Sequence, residues 1–97
     1  MIFMDKKEIY KKTISKYGAE LQALVAIEEM SELIKAIIKI KRKIAKDENF
    51  LGERENLIEE IADVEIMIEQ LKLIHHCELG VEKIKEKKLK RLLENLS

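Results

Sequence analysis

Two groups of acidic residues stand out because of where they fall in their helical repeat. At about 100° per residue, Glu60 projects into the middle of the stripe made by Leu57, Val64, Met67 and Leu71, and Asp63 lies on its edge one turn further on. Upstream, Glu28 and Glu32 continue the face that carries Leu21 and Val25, with Glu29 beside them. Both groups interrupt an apolar face. Like charges one turn apart repel by roughly a few tenths of a kcal/mol, and burying an unpaired carboxylate adds several kcal/mol. The positions one turn from Glu60 and Asp63 on their own face are Asn56, Leu57, Val64 and Met67, none of them positive. A bound cation would offset the cost. Hard ions such as Mg²⁺ take oxygen ligands, and i, i+3 pairs on two facing helices can place four carboxylates around one or two ions. Taken alone, the E-E-x-x-E stretch also reads as a solvated helix face in a chain with 39% charged residues. The second pair, inside an apolar stripe on another helix, favours the cation.

The elements that must position these acids follow from periodicity and punctuation. Gly18, Gly52 and Gly80 are the only glycines, and each falls between segments of helical period, where helix-terminating residues belong. The expectation is helix 1 over Asp5 to Tyr17, helix 2 from Ala19 to Ala45, helix 3 from Arg54 to His76 and helix 4 from Val81 to Leu96. Lys46 to Gly52 is the one expected loop, short enough to make helices 2 and 3 an antiparallel pair with Glu29 and Glu32 opposite Glu60 and Asp63. Helix 2 is apolar in two directions, Ile27, Ile34 and Ile38 in one and Leu33, Ile40 and Ile44 in the other, with Met30 and Ile37 between. Helix 3 has Leu57, Val64, Leu71 and Ile74 on one stripe and Ile58, Ala62, Ile66 and Leu73 on the opposite one. A chain of this length has too few helices to cover both sides, which predicts a homo-oligomer, a dimer or a dimer of dimers.

Composition narrows the classes further. With 97 residues, no Pro and 46% apolar content, the chain fits one all-α domain over 1–97. Its 19 basic and 19 acidic residues cancel, leaving no global field to draw in nucleic acid or an anionic membrane. The most apolar stretch, Leu33 to Ile44, is broken by Lys35, Lys39, Lys41, Arg42 and Lys43, so no membrane span is expected. A lone Cys77 and a charged N-terminal stretch from Met1 to Lys12 lead to the expectation of a cytoplasmic setting. No glycine-rich phosphate loop is present. His75 and His76 follow Lys72 and Leu73 by three residues rather than a Glu, against a di-iron reading, and are expected as helix-end residues favoured by the dipole. Cys77 has no nucleophile constellation about it and is read as structural.

Glu28-Glu29-Met30-Ser31-Glu32 followed by Glu60-Ile61-Ala62-Asp63 resembles the E-E-x-x-E, E-x-x-D signature of the MazG-like all-α nucleoside triphosphate pyrophosphohydrolases. The resemblance extends from Tyr17-Gly18 and Gln22, through Leu33 and Ala36, to Ala62-Asp63-Val64 and Glu69-Gln70-Leu71. It implies a four-helix protomer that completes its core as a homo-oligomeric bundle, and hydrolysis of a nucleoside triphosphate between the α and β phosphates to the monophosphate and pyrophosphate. Mg²⁺ is the implied ion, with Mn²⁺ as a substitute, held by Glu29, Glu32, Glu60 and Asp63. Glu28 would be a further acid that orients water or a second ion. Lys88 and Arg91 resemble a Lys and an Arg three apart near the end of the family's domain, although an Asn often found two residues before that Lys is Glu86 here. By the same resemblance Gln22 would contact base or sugar. From spacing alone, Lys85, Lys88 and Arg91 recur along one face of helix 4, and Lys35 and Lys39 continue the acidic face of helix 2; either set could reach a phosphate. Of the aromatics, only Phe3, Tyr10, Tyr17 and Phe50 could stack on a base. Two other readings are a non-catalytic helical interaction or scaffold oligomer, and a nucleotide-binding protein without turnover.

Overall fold

The structure, a computed structural model, describes residues 5–97. These form four helices, α1 (Lys6–Tyr17), α2 (Ala19–Ala45), α3 (Leu51–Ile74) and α4 (Glu78–Asn95), with no strand among the described residues. Each start has a local cause. Asp5 caps α1, its Oδ1 accepting from the amides of Lys7 at 2.7 Å and Glu8 at 3.2 Å. Gly18 ends α1 at φ 90, a conformation closed to side-chain-bearing residues without strain, and its N–H returns to the Ile14 carbonyl at 2.8 Å.

The other two glycines do not end helices. Gly52 and Gly80 sit in the first turns of α3 and α4, which begin three residues earlier than periodicity predicts. The left-handed positions after α2 and α3 are taken by Asp47 at φ 54 and His76 at φ 51, Asp being one of the side chains that tolerates it best. Asn49 Oδ1 accepts the Leu51 N–H at 3.0 Å, so an Asx turn rather than a glycine leads into α3. The loop between α2 and α3 is accordingly shorter than expected, residues 46–50. His75 closes α3, as expected of a helix-end residue, and Cys77 precedes α4, half-buried.

The body of the fold is the antiparallel α2/α3 pair, with α1 laid against both helices. The buried residues are Ala26, Ala36 and Ile40 of α2, Val64 and Met67 of α3, and two amides, Gln22 and Gln70. Alanines let the helices approach closely, and Val64 and Met67 fill the gap from the other side. Helix α4 packs only on α3 among the described helices, held near its start by Glu78 with Lys7 at 3.3 Å and Glu82 with Lys72 at 3.9 Å.

One side of each long helix is covered and the other is not. Ile27, Ile34 and Ile38 of α2 and Ile58 and Ile66 of α3 are exposed, as are Leu79, Ile84, Leu89, Leu92 and Leu93 of α4 and Leu96 just after it. The chain presents 8145 Å² of accessible surface. A compact monomer of 11.4 kDa would present about 5,800 Å². Its radius of gyration, 16.9 Å, exceeds the roughly 12.5 Å of a compact chain this long. No described helix is long and apolar enough to cross a membrane.

Candidate metal centre

Three of the carboxylates singled out by spacing meet across the α2/α3 interface. Glu29 from α2 and Glu60 and Asp63 from α3 each offer an oxygen, and these atoms lie within 4.8 Å of one another. Glu29 and Glu60 are partly buried, while Asp63 opens to solvent. The i, i+3 spacing of Glu60 and Asp63 puts both on the side of α3 that faces α2, flanked by buried Val64 and Met67.

Electrostatics make this arrangement costly without a counter-charge. Burial pushes the Glu29 carboxyl above the ordinary range; Asp63 and Glu60 add to it, and a hydrogen bond shared with Asp63 and the charge of Glu28 act in the same direction. Burial likewise raises Glu60, followed by the charges of Asp63, Glu32 and Glu59. Glu60 Oε2 is buried with no hydrogen-bond partner among the described residues. A residue that meets two further carboxylates and keeps one buried oxygen unpartnered has capacity left to take a cation or a proton.

The remaining acids stand at the margin. Glu32 pairs through its Oε1 with Lys35 on its own helix at 3.4 Å and is not among the three whose oxygens meet, while its charge still reaches Glu60. Glu28 is exposed next to Glu29, its carbonyl accepting the Ser31 hydroxyl at 2.7 Å. Lys39, Lys88 and Arg91 are exposed. The last two ride on α4, which has no packing on α2, so within one chain the fold does not gather them with the acids.

Gln22, which the resemblance places at base or sugar, lies in the interior of the α2/α3 pair. It is buried, and its Nε2 donates to the Oε1 of Gln70 at 2.7 Å. Gln70 was within the resemblance but had no role from sequence. The available signal was spacing, since Gln70 follows Asp63 by the same number of residues as Gln22 precedes Glu29.

Of the aromatics considered for stacking, Tyr10 lines an open groove of about 1050 Å³ between α1, α3 and the start of α4, together with Ile66, Gln70 and Leu73. None of Glu29, Glu60 and Asp63 borders that groove. Tyr17 is exposed with the Lys16 ammonium 5.2 Å from its ring centre, Phe50 is exposed, and Phe3 lies outside the described residues. Compared with protein-family models, with curated proteins and with solved structures, the chain gives no match.

Proposed function

We propose that this chain is a Mg²⁺-dependent nucleoside triphosphate pyrophosphohydrolase of the MazG-like all-α type, working as a homo-oligomer in the cytoplasm. The observation that carries the reading is the meeting of Glu29, Glu60 and Asp63 within 4.8 Å, with Glu60 Oε2 buried and unpartnered. An all-oxygen, all-carboxylate donor set suits a hard divalent ion and not a soft one, which matches Mg²⁺ or Mn²⁺. Glu29, Glu60 and Asp63 would hold it, and Glu32 would join by leaving Lys35, an exposed pairing that costs little to break.

When bound, the ion neutralises charge on the triphosphate and on the departing pyrophosphate. The chain's own residues have separate tasks. Glu28, exposed beside the three acids, takes the proton of the water that attacks the α-phosphorus as the bond to the bridging oxygen breaks. Lys39 supplies positive charge for the phosphates, and Lys88 and Arg91, which one chain does not gather with the acids, do so from α4 of a second copy. The uncovered apolar faces of α2, α3 and α4 support a second copy as partner. They also fit a scaffold oligomer, but that reading leaves the crowding of three carboxylates without a purpose.

The test is incubation of the purified protein with a panel of canonical and modified nucleoside triphosphates and Mg²⁺, with and without EDTA. Equimolar monophosphate and pyrophosphate, abolished by EDTA, is the expected result. Absence of cleavage across the panel, with Glu60→Ala as stable as wild type whether or not Mg²⁺ is present, would overturn the reading in favour of the scaffold.

A further inference from the structure

We infer that the buried Gln22–Gln70 hydrogen bond is a register pin for the α2/α3 pair, and that both are positioning residues which hold Glu29 against Glu60 and Asp63. The inference rests on the reading of those acids as a cation site. Gln22 and Gln70 are 6% and 4% exposed, and among the described residues they are the only buried polar side chains, the other buried ones being Ala26, Ala36, Ile40, Val64 and Met67. Apolar side chains of that kind pack almost as well after one helix slides or rotates on the other, because dispersion and hydrophobic burial have no direction. A hydrogen bond of 2.7 Å between two buried amides does have one.

The placement of the pair gives it a task. Gln22 lies about two turns before Glu29 on the same face of α2, and Gln70 lies about two turns after Asp63 on the same face of α3. In an antiparallel pair, the amides and the acids therefore stand on one line of the interface, and a register that joins the first also joins the second. The acids themselves favour separation, since three carboxylates within 4.8 Å repel. A slide of one turn, about 5.4 Å, would relieve that repulsion but would break the Gln22–Gln70 bond and leave two amides buried without partners. Buried polar pairs that give up stability to fix one register are a known device of paired helices.

The experiment compares the full-length wild type with Gln22→Leu/Gln70→Leu, in which both partners become apolar at nearly constant size. Thermal unfolding and Mn²⁺ binding, read from the electron paramagnetic resonance of free Mn²⁺, are measured on both. The pin predicts a double variant that melts at or above the wild-type temperature and yet binds Mn²⁺ at least tenfold more weakly. A merely structural pair would not separate the two readouts, and wild-type Mn²⁺ affinity in the double variant would overturn the inference. Should the leucine pair fail to fold, Gln22→Met/Gln70→Met is read in the same way. A second arm places spin labels at exposed Ser31→Cys and Glu59→Cys in a Cys77→Ser background. A narrow distance distribution that broadens or splits in the double variant supports the pin, and one that stays narrow refutes it. If wild type itself binds no Mn²⁺, the proposed function fails, and the distance arm still decides the pin.

Discussion

The surface of the chain sets a measurable expectation for its assembly. At 8145 Å², the chain exceeds a compact monomer of its mass by about 2,350 Å². If a second copy covers that excess on each protomer, the interface removes about 4,700 Å² in total, at the upper end of the range for obligate homodimers. Such a dimer should not dissociate at micromolar concentration. The perturbation is Ile27→Glu with Ile34→Glu, two exposed isoleucines on one stripe of α2. Each forfeits roughly 1.5–3 kcal/mol of apolar burial, before any cost of desolvating the new charge. Present on both copies of the dimer, the four substituted side chains should weaken association by about 10⁴-fold or more. Sedimentation velocity over a dilution series is the assay: wild type should sediment as a dimer or larger throughout, and the double variant should shift to monomer as it is diluted. A wild-type chain that is monomeric at tens of micromolar would refute the reasoning from exposed area.

Further expectations concern the acids and the glycines. Because the folded-state pKa values of Glu29 and Glu60 are raised, the metal-free native protein carries no penalty from them below about pH 4.5, where both states are protonated, and the full penalty above the raised values. In EDTA, Glu60→Gln should therefore melt above wild type at neutral pH, with the difference vanishing toward pH 4.5; a difference independent of pH would contradict the assignment. Glycine-to-alanine substitution should change sign along the chain. Gly18→Ala, at φ 90, should cost about 1–3 kcal/mol, whereas Gly52→Ala and Gly80→Ala, in open first turns, should stabilise by about 0.4–1 kcal/mol, all read by chemical denaturation. Tyr17→Ala should raise KM for nucleotides if its exposed ring stacks on the base, and an unchanged KM would remove that role.

The fold was legible where the chain's own repeat decides it. The extent of α2 and the end of α1 follow from periodicity and from Gly18, whose backbone conformation only glycine adopts easily. The starts of α3 and α4 were not legible from the glycines, because Asp47 and His76 supply the left-handed residues and an Asx turn at Asn49 leads into α3. Within the site, carboxylates at i, i+3 in an apolar stripe and a short α2/α3 loop were enough to bring Glu29 to Glu60 and Asp63. Sequence could not decide between partners for Glu32, which Lys35 engages one turn along the same helix. Nor could it place Gln22, whose burial depends on a residue contributed by another helix. The position of Lys88 and Arg91 follows from a helix that packs only on α3 among the described helices, a long-range contact that spacing along the chain does not specify.

The most direct test of the central claim is a parallel measurement of Mn²⁺ binding, Mg²⁺-dependent pyrophosphate release and folding stability on wild type and Glu60→Gln. The account predicts that the variant, which loses one charge from the partly buried cluster while keeping its shape, folds at least as stably without metal but loses both cation binding and pyrophosphate release. A Glu60→Gln protein that binds Mn²⁺ and releases pyrophosphate like wild type would contradict it.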